Sequence, residues 1–306
     1  MNVREWALPV YTILMQLAVG GLFVLWLIRH LVTSKFSSHD IEQIIRNPIL
    51  VIAFTAVVAM GGAHFHLSKP FHSFLVVLNF KSSWLSREIV FNIMFFLTTS
   101  FLWYLTRFKN TRQNLITVVG WLAILFGFAI VYCMARIYLI PTQIAWNSST
   151  VIMSFYVTML LLGSMAIACL LILDLRFAEI QKADGVEVRL QIIQCSIAWL
   201  TVIAFLSVLA NISIVFYQIH LLSQGDLTAQ TSLQLLLGLY IPLFVLRLLL
   251  LSIAPLWLGY AVHRMRKSGS VPQVLIMPVY MSCLFILIGE IIGRFLFYAT
   301  HVRVGI

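Results

Sequence analysis

Eight long apolar runs constrain this chain more than anything else in it. They lie at about 7–31, 48–66, 88–106, 114–139, 149–173, 191–219, 235–260 and 273–299. A hydrocarbon core ~30 Å thick needs about 20 apolar residues per helix. The runs are continuous rather than alternating, which points away from strands. In lipid each segment has to satisfy its own backbone N–H and C=O groups, and a helix does so within itself. The whole chain is 61% hydrophobic and only 10% charged over 306 residues. That much apolar surface fits a lipid solvent rather than water. The expectation is an all-α integral membrane protein: one polytopic domain over 1–306, folded as a bundle of eight transmembrane helices in a lipid bilayer. The first run lacks both a basic leader and a small-residue cleavage site, so it is read as a retained span.

A formal charge of +10 could suggest nucleic acid, but the basic residues sit at the ends of the runs. Arg29, Lys35, Arg46, Arg107, Lys109, Arg112, Arg176, Lys182, Arg189, Arg264, Arg266 and Lys267 fall at the odd-numbered connections. Arg4, Lys69, Lys81, Arg87 and Arg303 fall on the other side, and Arg136, Arg247 and Arg294 lie inside runs. Twelve against five places the odd connections in the cytoplasm and both termini outside, on the periplasmic face of a bacterial inner membrane. No nucleic-acid partner follows. Cys133, Cys169, Cys195 and Cys283 each stand alone in an apolar run, with no spacing for zinc or an iron–sulfur cluster.

Between the second and third runs, His64–Glu88 packs three histidines, two lysines and an Arg-Glu pair into one connection. On this topology His66 ends the second span and Glu88 opens the third, both at the outer boundary. Arg136 lies near the outer end of the fourth span. In the last span Glu290 and Arg294, four apart on one helical face, lie roughly 14 Å and 8 Å from its outer end. A charge at that depth costs at least ~2.5–3.5 kcal/mol, so each needs a partner or a function. Plainer readings exist for each. Glu290 and Arg294 could pair within their helix, where Gly289 and Gly293 suggest close packing. Arg136 could snorkel to the interface, and Glu88 could be held by its helix N-terminus after Ser86. Arg247 has no candidate partner, and the mixed-charge stretch Asp174–Arg189 reads as a solvated linker without a site.

Oxidising a quinol removes two electrons and two protons, and a histidine or carboxylate can accept a hydroxyl proton. His66 and Glu88 flanking a boundary loop suit that chemistry. The histidines sit at boundaries or in loops rather than deep in facing helices, so haem is not expected.

Several stretches resemble a known family. They are W-A-L-P-V-Y-T-I-L-M-Q-L-A-V-G-G from Trp6, H-L-S-K-P-F-H-S-F from His66, and L-N-F-K-S-S-W-L-S-R-E-I ending at Ile89. M-A-R-I-Y ending at Tyr138 and G-E-I-I-G-R-F-L-F-Y-A-T-H-V-R-V-G-I from Gly289 complete the set. Together the chain resembles the membrane-anchor subunit family of anaerobic dimethyl sulfoxide reductase. The resemblance implies a haem-free, metal-free anchor that oxidises menaquinol at the outer face. Its partners would be an iron–sulfur electron-transfer subunit and a molybdopterin catalytic subunit. It also implies that His66 and Glu88 bind the quinol; Arg136, Glu290 and Arg294, at matching depth, are expected to be supporting polar residues. Ser68 stands where the family has glycine, and the arginine that follows the proline in the family is replaced by His72 or absent. Two other classes stay open: a secondary transporter using the intramembrane Glu and Arg residues, and a purely structural anchor.

Overall fold

The computed structural model describes the backbone of residues 3–66, 79–108, 112–181, 185–268 and 272–302. Side chains are described at all of these except 3–7, 63–66, 267–268 and 272–273. The helices are α1 (Val3–Val32), α2 (Ser38–His66), α3 (Trp84–Phe108), α4 (Gln113–Tyr138) and α5 (Ser149–Ile180). They continue with α6 (Val186–Ser223), the short α7 (Leu227–Gln234), a π-helical segment (Leu235–Leu239), α8 (Ile241–Ser268) and α9 (Pro272–Ala299). Eight of them are long and apolar enough to cross a membrane, and no strand occurs among the described residues. The eight-helix reading therefore stands. Eight spans run alternately up and down, so the two ends of the polypeptide share one end of the bundle, here called the terminus end.

Three boundaries differ from the hydropathy reading, each for a local reason. Helix α2 begins ten residues before its apolar run. Ser37 Oγ accepts the Asp40 N–H at 3.2 Å and donates to the Asp40 carboxylate at 2.7 Å, which caps a polar first segment. The supposed linker Asp174–Arg189 is mostly helix. Asp174 is buried, accepting from Arg189 Nη1 at 2.6 Å and from Asn47 Nδ2 at 3.0 Å. An ion pair joins α5, α6 and α2 there, not a solvated loop. The seventh span starts at Ile241 rather than 235. Pro242 has no N–H to return to residue 238, and Gly238 is a poor helix former. The backbone slips a register, closing instead with Tyr240 N–H to Leu235 C=O at 3.0 Å.

Helices α1 and α5 form the centre. Of their apolar windows 78% and 61% are buried, against 28% for α8. They cross where Gly20 meets Gly163. A Cβ on Gly163 would lie 2.2 Å from the Gly20 carbonyl carbon, and one on Gly20 would lie 1.9 Å from the Met159 carbonyl oxygen. Small residues are what bring helices together in lipid, where dispersion rather than water exclusion drives association. Around this crossing, α2, α3 and α4 pack on one side and α6, α8 and α9 on the other. The side chains turned outward are apolar, among them Phe54, Val118, Leu125, Phe216 and Leu249, as a lipid-facing surface requires.

Candidate functional site

At the terminus end of α3, Ser83 Oγ accepts the Ser86 N–H at 3.3 Å and starts the helix at Trp84. From there Glu88, Asn92, Phe95 and Thr99 recur at spacings of three and four, forming one buried strip. Glu88 is 3% exposed. The Tyr11 hydroxyl of α1 donates to Glu88 Oε1 at 2.5 Å, and Asn92 Nδ2 donates to the Tyr11 oxygen at 2.7 Å. The carboxyl is therefore tied to a neighbouring helix; the cap belongs to Ser83. Asn92 Oδ1 and Ser86 Oγ, both buried, make no hydrogen bond among the described residues. They remain available to a polar group arriving beside Glu88.

His66 ends α2, which packs on α3, but its side chain lies outside the described residues. Whether His66 meets Glu88 lies outside them too, as do Lys69 and His72. Arg87 does not pair with Glu88. It donates to the carbonyls of Phe80 at 2.9 Å and Lys81 at 2.6 Å, fastening the connection to α3. Arg136 of α4 lies over the Trp84 ring, 4.8 Å from its centroid, with Arg87 4.2 Å from the same ring. Its Nε is buried without a partner among the described residues.

Glu290 and Arg294 belong to the other half of the bundle, and they do not form an ion pair. Arg294 donates to Gln16 Oε1 of α1 at 2.5 Å and lies 3.9 Å over the Phe155 ring of α5. Glu290 Oε2 accepts from the Thr158 hydroxyl of α5 at 3.0 Å, while its Oε1 has no partner among the described residues. Arg247, without a partner in the sequence, reaches Asn211 Oδ1 of α6 at 3.4 Å. Its guanidinium lies against Gly293, where a Cβ would stand 2.6 Å from Nε. The two halves meet through hydrogen-bonded Tyr138 and Tyr298, packed among Trp146, Phe155 and Phe297. A polar layer thus crosses the terminus end from Glu88 to Arg247. A cavity of about 100 Å³ lies beside Glu290 rather than Glu88.

Counting only ionisable residues missed Tyr11, Gln16, Asn92, Thr158 and Asn211, the neutral groups that hold the charged ones. For Gln16, Asn92, Thr158 and Asn211 the signal was available, since each is a polar residue inside an apolar run; Tyr11 offered none. The cysteines do not all stand alone either, since Cys169 and Cys283 meet across α5 and α9. Among the described residues no group of three or more metal-ligating side chains comes together.

The protein is 27% identical over 311 residues to the C subunit of anaerobic dimethyl sulfoxide reductase from Escherichia coli, covering 99% of this sequence and 96% of that one. It is 26% identical over 310 residues to the subunit of the same name in Haemophilus influenzae, covering 100% and 98%. The YnfH subunit of anaerobic dimethyl sulfoxide reductase, also from Escherichia coli, matches at 27% over 314 residues, covering 99% and 96%. The profile of one family, described as DMSO reductase anchor subunit, matches residues 1–300. The chain belongs to the DMSO reductase anchor subunit (DmsC) family.

Proposed function

We propose that this protein is the haem-free membrane anchor of a dimethyl sulfoxide reductase-type molybdoenzyme complex in a bacterial inner membrane. It oxidises menaquinol at the outer face and passes the electrons to an iron–sulfur subunit, which feeds a molybdopterin catalytic subunit. The observation that carries this reading is the buried carboxyl of Glu88 near the start of α3, held by Tyr11, whose oxygen in turn accepts from Asn92. A buried carboxyl at a membrane boundary is costly, and a role in proton transfer explains why one is there.

In this mechanism the quinol head group enters beside α3 from the lipid, and its hydroxyl donates to Glu88. His66, at the end of the adjoining helix, accepts a hydrogen bond from the second hydroxyl. Glu88 and His66 each remove one proton as the head group gives up its two electrons to the iron–sulfur subunit, and both protons leave to the outer aqueous phase. Tyr11 and Asn92 keep the carboxyl oriented through the cycle, which spares reorganisation at the moment of transfer. Asn92 Oδ1 and Ser86 Oγ, unpartnered among the described residues, supply further contacts to the head group. Arg136, Glu290 and Arg294 support this layer electrostatically. The positive-inside count places both termini, and hence this end of the bundle, outside.

The test is electron delivery by the assembled complex in native membranes. Wild-type membranes should oxidise a menaquinol analogue and reduce the partner's clusters, and a quinone-site inhibitor should stop both. Assembly of the complex with no inhibitor-sensitive oxidation would leave a structural anchor. Solute uptake by this protein without partners would make it a transporter.

A further inference from the structure

The quinol mechanism uses Glu290 and Arg294 only electrostatically and leaves the cavity beside them without a role. Helices α5, α6, α8 and α9 and the π-helical segment bound it, and it reaches from Glu290 to Ala145, Trp146 and Thr300 at the terminus end. Two of its lining residues carry buried atoms that lack partners among the described residues: Glu290 Oε1, an acceptor, and Arg247 Nε, a donor. Glu290 is 2% exposed. Buried polar atoms are nearly always satisfied by protein or by water, and water needs room and several polar partners. Room is present. One water occupies ~10–15 Å³ on this measure, so a cavity of about 100 Å³ accepts several. Asn211, Gln218 and Ser232 add polar groups along the wall.

We propose that this cavity is an internal water site through which Glu290 exchanges protons with the aqueous phase at the terminus end. The charged groups facing Glu290 are Arg247 from α8 and Arg294 from its own helix; α5 contributes only Thr158 and Ser154, and α6 only Asn211 and Gln218. No second carboxyl among the described residues competes for the proton. The π-helical segment forms part of the wall through Leu236, and such irregular turns recur at functional positions within helices. Gly293 leaves the space in which the Arg247 guanidinium lies.

Radiolytic hydroxyl-radical labelling of the whole complex tests the water, because radicals formed from bound water oxidise only adjacent side chains. Leu296 and Phe244 line the cavity at 4% and 9% exposure, whereas Leu22 and Phe95 are fully buried in the core. Each cavity residue should be oxidised at least several-fold faster than the core residue of its own type, and equal rates would overturn the water site. An excess of quinol analogue should leave that labelling unchanged; protection would make the cavity a head-group site instead. Infrared difference spectra between wild type and Glu290→Gln test the exchange. The band lost with Glu290 should shift in D₂O or titrate with external pH. A band that does neither would overturn proton exchange at Glu290. Neither readout depends on quinol oxidation.

Discussion

Tyr11 carries the local logic of the site, because its single hydroxyl donates to Glu88 and accepts from Asn92. Replacing it by phenylalanine keeps the ring and removes both bonds, leaving a buried carboxyl and a buried amide without partners. Hydrogen bonds to charged groups contribute about 1.5–3 kcal/mol. Tyr11→Phe should therefore lower quinol oxidation about tenfold or more while the complex still assembles, measured as steady-state rates on membranes of equal subunit content. Glu88 was legible in the sequence because a carboxylate in an apolar run costs too much to be incidental. Tyr11 was not, because a tyrosine near a membrane boundary is ordinary, and its bond to residue 88 depends on how α1 and α3 pack. The pairing of Glu290 with Arg294 failed for a related reason. Four-residue spacing puts two side chains on one face, but Gln16 and Thr158 from neighbouring helices offered better-placed partners.

Among the elements, the crossing of α1 and α5 sets the position of everything else. Both polar groups hang from it: Tyr11 on one flank, Gln16 and Thr158 on the other. Gly163→Ala would add helix propensity in an ordinary helix, but here its Cβ would meet the Gly20 backbone at 2.2 Å. Overpacking of that kind costs about 1–3 kcal/mol. The variant should lower the midpoint of thermal unfolding in detergent, while Gly61→Ala, with nothing within 4 Å among the described residues, should not. Hydropathy located the long helices but not the irregular run from α7 into α8. Asp226 starts α7, its Oδ1 accepting the Ala229 N–H at 3.0 Å and the Thr228 hydroxyl at 2.7 Å. The Ala229 N–H is the main reason its carboxyl sits below the usual aspartate range. A depressed value means the cap is intact above the ordinary pKa and is lost as pH falls through the lowered one. The protection of the Ala229 amide, its exchange rate relative to the intrinsic rate at the same pH, should accordingly fall only in acid below the usual aspartate pKa, and a loss of protection near neutrality would contradict the cap.

At the scale of the whole molecule, two halves share one polar layer at the terminus end, joined by Tyr138 and Tyr298. The opposite end is stitched by compact ion pairs, Arg29 with Glu42 at 3.1 Å and Arg189 with Asp174 at 2.6 Å. That division of labour was half visible in the sequence. The count of basic residues suggested an orientation, but it could not tell a solvated arginine from one that braces three helices. The proposed orientation, with the termini outside, predicts that a cysteine introduced at Gln224, in the α6–α7 connection, reacts with an impermeant maleimide added outside intact spheroplasts. One introduced at Gln181, after α5, should react only after lysis.

Everything proposed for the quinol site turns on Glu88 taking the proton from quinol. General-base residues contribute typically about 10²–10⁴-fold to the steps they assist. The decisive measurement is the rate at which a menaquinol analogue reduces the partner's iron–sulfur clusters in membranes carrying Glu88→Gln, with all subunits present in wild-type amounts. The expected result is a fall of about a hundredfold or more, with the clusters still reducible by a chemical reductant. Reduction by quinol at the wild-type rate would show that Glu88 is not the proton acceptor.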